Sequence, residues 1–291
     1  MATDRRSGFE RGRWWPSSPR VRDGLIAFLP VALATCLGVV PLAVMAYESV
    51  SPPITLANYA EALGGVYLPV LGRSLLIGVV ATAACLLIAY PVTYWLAHVC
   101  PARYRLAALI TLVLPLWLNY VVLNYAWVWI LARGGVLNYL LVALGPLAEP
   151  LSLLYTHTSM LIGFLYIYLP YVLLTMYASM ERLDYRLVEA ARDLGAGDLR
   201  VFVDVVVPRT IAGALASALI VYARIAGAYA TPEILGGPRN QMISRLIVSA
   251  FYEFADWGFA SALSFVFLAV VFVGFCLGAL SGSVRNELKR W

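Results

Sequence analysis

Charge is scarce along this 291-residue sequence: 13% of its residues are Asp, Glu, Lys or Arg, where a soluble globular domain carries about 25%. Lysine occurs once, as Lys289, so there is no G-x-x-x-x-G-K-[ST] phosphate loop and no ATPase site of that kind in the chain itself. H-E-x-x-H and G-x-S-x-G are missing as well, and no convergent nucleophile, base and metal ligands are visible. The two histidines, His98 and His157, stand at opposite ends of different apolar runs and are expected to pack at interfaces rather than hold a metal. The four cysteines (Cys36, Cys85, Cys100 and Cys276) show no C-x-x-C spacing and are read as small apolar packing residues. Neither a catalytic residue nor a metal or cofactor is therefore assigned.

Apolar residues are abundant instead, at 62% of the chain with a mean hydropathy of +0.81. Six runs are long enough to cross a bilayer, since about 20 apolar residues span a hydrocarbon core about 30 Å thick. They are Leu25 to Tyr47, Ser74 to Ala97, Leu106 to Ala132, Leu151 to Met180, Thr210 to Pro232 and Phe259 to Ser281. This pattern excludes a soluble enzyme, a disordered tail and a secreted disulfide scaffold. Of the 21 basic residues, 16 fall before the first run, between the second and third, between the fourth and fifth, or after the last. The excess of Arg and Lys on that side places both termini in the cytoplasm. Arg5-Arg6 and the Leu33 to Cys36 segment resemble export leaders, but five further spans favour an uncleaved first helix.

Residues 1–24 read as a basic cytoplasmic arm meeting anionic lipid, 25–281 as one transmembrane domain, and 282–291 as a cytoplasmic tail. The apolar stretch Val136 to Leu147 is too short to cross and is expected in the interface. In the third external loop, Met242, Ile243, Leu246, Ile247, Ala250, Phe251 and Phe254 share a helical face opposite Arg245, Ser249 and Glu253, predicting an amphipathic helix on the outer surface or over the bundle mouth. The loop 181–209 is different in kind. It mixes five Arg with six acids while keeping Leu183, Leu187, Val188, Leu194, Leu199, Phe202 and Val203 at helical spacing. Short amphipathic helices with that many carboxylates are repelled by an anionic leaflet, so the partner for their apolar face is a protein.

Within that loop stands Glu189-Ala190-Ala191-Arg192-Asp193-Leu194-Gly195, followed after nine residues by Val205-Val206-Val207-Pro208. Paired alanines let another backbone approach, Glu189 offers a charge to a basic partner, Gly195 supplies a positive φ or a tight contact, and Pro208 suits a first helical turn. The segment resembles the E-A-A-x-x-x-G-x9-I-x-L-P signature of the inner-membrane permease subunits of ATP-binding cassette importers, with Val for Ile and Leu. The blocks Thr55 to Tyr59, Leu114 to Trp117 through Trp127, Gly135 to Asn138, Thr231 to Gly237 and Asp256 to Ala260 are similar to the polyamine-type branch, and closer to the first than to the second of the two permease subunits of a spermidine and putrescine importer.

The resemblance implies an all-α membrane protein with the six-helix fold of type I importer permeases and cytoplasmic coupling helices, in the inner membrane of a prokaryote. It implies a second permease subunit in a heterodimer, a cytoplasmic ATPase dimer that binds the ATP, and an external substrate-binding protein, with no nucleic acid involved. Glu189, Ala190, Ala191, Leu194, Gly195 and Pro208 would then couple to the ATPase.

Arg224 falls past the middle of the fifth run, where a charge costs at least about 2.5–3.5 kcal/mol. It either lines the translocation path or snorkels outward. Tyr120, Tyr125, Trp127, Trp129, Tyr166, Tyr168, Tyr171, Tyr222 and Tyr229 crowd spans three to five; Tyr125, Trp127, Tyr222 and Tyr229 share spans with the polar Asn124 and Arg224 and join them as pathway candidates. Many polyamine-type relatives carry an acid where this chain has Ala228, and Pro where it has Arg224. The implied cargo is a polyamine, with an anionic or zwitterionic solute such as a phosphonate, or iron or thiamine, as the alternative. From other classes, a membrane-embedded enzyme lacks a catalytic set here, and a secondary transporter lacks matching halves.

Overall fold

The computed structural model describes residues 19–50, 54–145 and 149–280; the Arg5-Arg6 pair and the tail from residue 282 lie outside them. All regular structure among the described residues is helical: α1 (Pro19–Val50), α2 (Ala57–Ala62), α3 (Tyr67–Tyr94), α4 (Ala102–Val113), α5 (Tyr120–Leu131), α6 (Val136–Ala143), α7 (His157–Glu181), α8 (Arg186–Asp193), α9 (Asp198–Val201), α10 (Val207–Ala226), α11 (Ile243–Tyr252) and α12 (Trp257–Leu280). Among the described residues six stretches have the length and hydropathy of a membrane span, the number expected. Helix α1 begins inside the segment expected to be an arm up to residue 24.

Helices α3, α7 and α10 form the centre, packing around Ala81, Cys85, Phe164, Met176, Val221 and Ile225, all buried. In lipid the hydrophobic effect does not drive helices together, and close backbone approach through small residues does. Gly213 of α10 accordingly sits against Ser179 of α7, and Gly78 of α3 against Tyr222 and Ala226 of α10. Helices α1 and α12 pair alongside, tied in by α2 and α11 through Ala62, Leu71, Ile243, Phe259 and Leu263.

The third apolar run is broken rather than continuous. Pro115 lies in a 3-10 turn, Leu114–Trp117, and Asn119 caps α5 by accepting the Val121 N–H on its side-chain oxygen at 2.8 Å. Length and hydropathy alone favour Tyr120–Ala143 as the span here. The packing differs: α4 lies beside the Trp95–Val99 turn at one end of α7 and α5 beside Pro232–Gly236 towards the other, so α4 and α5 run along α7 together.

Helix α10 departs from expectation at its C-terminal end. It stops at Ala226 instead of reaching Pro232. Its last residue packs beside Gly78, roughly 16 Å along α3 at 1.5 Å per residue and less than halfway along that helix. The chain then turns back through irregular backbone, a π turn at Pro232–Gly236 and a 3-10 turn at Pro238–Asn240. It returns to the start of α3, where the Ile243 N–H donates to Ser74 Oγ at 2.8 Å. Irregular backbone at that depth needs partners within the protein. Ser159 Oγ donates to the Leu235 carbonyl at 2.8 Å, and Asn240 Nδ2 donates to the carbonyls of Gly236 at 3.0 Å and Tyr155 at 2.9 Å.

At its other end Pro208 falls in the first turn of α10, as expected, but that turn does not start a new helix. Helix α9 runs into it through a π turn, Phe202–Val206, closed by the Val207 N–H on the Phe202 carbonyl. Pro208 therefore lies ten residues inside a continuous helix that starts at Asp198, directly after the wider turn, which accommodates a residue without an N–H.

Candidate functional site

Two surfaces stand out, one at each end of α10. At the α8 end, Leu183, Val188, Val201 and Val206 are buried with Ala97 and Met180 in a small core of their own. His98 stacks on Tyr185, ring centroids 5.0 Å apart, joining the end of α3 to the start of α8. Helix α8 ends in a Schellman motif: the Ala196 N–H donates to the Ala191 carbonyl at 3.1 Å and the Gly195 N–H to that of Arg192 at 2.8 Å. Gly195 takes the left-handed conformation this motif requires, with φ of 85°.

Arg192 fixes the next helix, donating to Asp198 Oδ1 at 2.8 Å and to the Tyr185 hydroxyl at 3.2 Å. The Asp198 bond, then that to Tyr185, raises its pKa above the usual arginine value. Beyond this frame, the apolar side chains of Leu194, Leu199 and Val203 are 89%, 78% and 52% exposed. Held outward by a charged frame, they make an exposed apolar patch. Glu189, Ala190 and Pro208 are exposed beside them, while Ala191 turns inward against the small core.

The second surface is a groove of about 370 Å3 where α10 stops, lined in part by Tyr120, Tyr168, Tyr171, Arg224 and Tyr229. Arg224 is in the last turn of α10, where the partial negative charge of a helix C-terminus favours a cation. Its guanidinium carbon lies 5.4 Å from the centroid of the Tyr171 ring, and Tyr168 lies 6.3 Å from Tyr171, centroid to centroid. Among the described residues that line this groove there is no carboxylate.

Helix α11 roofs the segment that follows. Arg245 reaches Glu233 at 2.9 Å and Glu253 at 2.7 Å. Burial works against the Arg245 charge, but the Glu253 hydrogen bond and the two carboxylates outweigh it and raise its pKa.

Residues 75–286 match the family described as the binding-protein-dependent transport system inner membrane component. The chain belongs to this family. It is an importer permease, multi-pass in the inner membrane, that works with a substrate-binding protein as part of an ATP-binding cassette system. Among its relatives, the spermidine/putrescine transport system permease protein PotB of Escherichia coli K12 is 36% identical over 217 residues, 75% of this chain and 78% of PotB. PotB of Haemophilus influenzae is 36% identical over 212 residues, 73% of this chain and 74% of its own. A solved bacterial transporter that imports the acidic polysaccharide alginate shares the fold, with a TM-score of 0.74, 14% identity, and coverage of 90% of this chain and 99% of its own. The same holds for an alginate transporter solved with its pentasaccharide-bound periplasmic protein, with a TM-score of 0.76, 15% identity, and 89% and 93% coverage.

The permease does not gather the six pathway candidates in one place. Arg224 and Tyr229 line the groove. Asn124 is fully buried, donating to the Tyr120 carbonyl at 2.8 Å with its oxygen turned towards Gly163 of α7. Trp127 packs edge-on against Tyr166 at 5.5 Å, and Tyr222 packs against Gly78 of α3. Tyr125 is exposed on α5, outside the groove lining. The groove takes Tyr120, Tyr168 and Tyr171 in their place. A local signal for two of them is present: Tyr168 and Tyr171 are three apart on α7 and so share a face.

Proposed function

We propose that this permease imports polyamines of the spermidine and putrescine kind, as one half of a heterodimeric pathway. The 36% identity to PotB over three quarters of both chains carries the reading. In it, Leu194, Leu199 and Val203 dock on a cytoplasmic ATPase dimer, with Glu189 and Ala190 beside them, Gly195 setting the turn and Pro208 following. The ATPase binds the ATP, and the permease has neither a cofactor nor catalysis of its own. An external binding protein delivers cargo to the α11 end, both termini face the cytoplasm, and lipid covers the outer helices.

The test is reconstitution of the assembled importer with its binding protein. Spermidine or putrescine is expected to stimulate ATP hydrolysis, and a complex unresponsive to either overturns the polyamine reading. Reporter fusions should read cytoplasmic within 181–209 and external near Asn240; a cytoplasmic signal at Asn240 overturns the orientation. A second reading, an anionic or zwitterionic solute, draws on Arg224 as the charge in a groove lined without a carboxylate. It predicts stimulation by a phosphonate and none by a polyamine.

A further inference from the structure

We propose that the groove at the end of α10 is an ammonium site, and that Arg224 occupies it as a tethered stand-in for the charge of the cargo. The proposal rests on the polyamine reading and adds which surface meets the cargo and what must move aside. The argument separates the fixed features of the groove from the movable one.

Its fixed features both suit a cation. Tyr120, Tyr168, Tyr171 and Tyr229 line one small space, and the Tyr171 ring lies under a guanidinium in it; aromatic faces attract ammonium and guanidinium ions. Helix α10 ends beside them, so the negative end of its dipole lies at the groove. In the last turn the carbonyls of Ala223 and Ile225 accept the N–H groups of Gly227 and Ala228, whereas those of Arg224 and Ala226 accept no such backbone bond. An anion would meet ring faces and a helix C-terminus, and both repel it.

Only the movable feature is cationic, and it already sits where a cation belongs, 5.4 Å over the Tyr171 ring. Among the described residues no ion pair holds Arg224 there. Its side chain is exposed, and a long flexible stem lets it leave the ring when another cation arrives. The absence of a carboxylate from the lining also fits a transit site, where binding must be weak enough to release the cargo. Arg224 then acts as a built-in competitor that keeps the rings covered between cargo molecules.

Equilibrium binding of radiolabelled spermidine to the assembled permease and ATPase complex, without the binding protein, tests this directly. Arg224→Gln and the unbranched Arg224→Met should each bind spermidine about three- to tenfold more tightly, the gain expected when a competing cation–π contact is removed. Arg224→Lys should stay near wild type because it keeps a tethered cation. Adding Tyr171→Leu to Arg224→Gln should reverse the gain. Equal or weaker binding in both neutral variants overturns the proposal, as does tightening in the Lys variant equal to theirs. Polyamine-stimulated ATP hydrolysis by the wild-type complex with its binding protein is measured in parallel. If that fails, the polyamine reading falls and this proposal with it; if it succeeds while the neutral variants do not tighten, this proposal alone falls.

Discussion

The two ends of α10 are built on opposite plans. At the α8 end the helix is continuous with α9, and a private core around Val188 and Val206 clamps the pair to α3 and α7. At the other end the helix stops beside Gly78 of α3, and side chains of α7 and α11 hold the backbone that follows through individual hydrogen bonds. If the α8 end docks the ATPase as proposed, movement imposed there would pass up a continuous helix into a region of irregular chain. A rod with a compliant tip lets a large displacement at one surface become a local rearrangement at the other.

Four substitutions would break or sharpen that contrast. Val188→Asp should do most: it is fully buried, and an unpaired carboxylate there costs several kcal/mol. The ATPase is expected to be lost on purification while the membrane helices stay inserted; retained ATPase would show that the small core does not shape the docking surface. Gly195→Val comes next, since a β-branched residue at φ of 85° is strained by about 1–2 kcal/mol or more. Substrate-stimulated hydrolysis should fall about tenfold with normal insertion, the factor that about 1.4 kcal/mol of lost docking energy gives.

At the opposite end, Gly163→Val adds bulk against Leu235 and Thr231, and overpacking costs about 1–3 kcal/mol. A lower Tm and slower transport are expected with the ATPase still bound, and loss of the ATPase would refute the separation of the two ends. The smallest effect belongs to Arg192→Ala. Its bridge to Asp198 is solvent-exposed, so stimulated hydrolysis should change less than about twofold.

The α8 end was largely legible in the sequence because its signals are local. Helical spacing named Val188 and Leu183, the E-A-A-x-x-x-G run located the turn, and Gly195 offered a positive φ or a tight contact, of which the structure takes the first. The far end was not, because hydropathy weighs side chains and is blind to backbone. Residues Ala226 to Pro232 are apolar enough to extend a span on paper, yet the helix ends at their first residue. Asn124 shows a related limit. A polar residue in a span avoids lipid either by facing a pathway or by being buried in its own chain, and only the closeness of Gly163 decides for burial.

The π turn at Phe202–Val206 also sets phase. Its loop of five residues holds one more than an α-turn, and at 3.6 residues per turn one residue is worth about 100° of rotation about the helix axis. The angular setting of α9 relative to the membrane part of α10 is thus fixed by a single inserted residue, independently of helix length. Deleting one residue between Phe202 and Val206 would leave every membrane contact of α10 possible and swing the docking face roughly a quarter-turn away from its partner. Adjusting this dial would let related permeases keep the same bundle while presenting their docking faces at different azimuths.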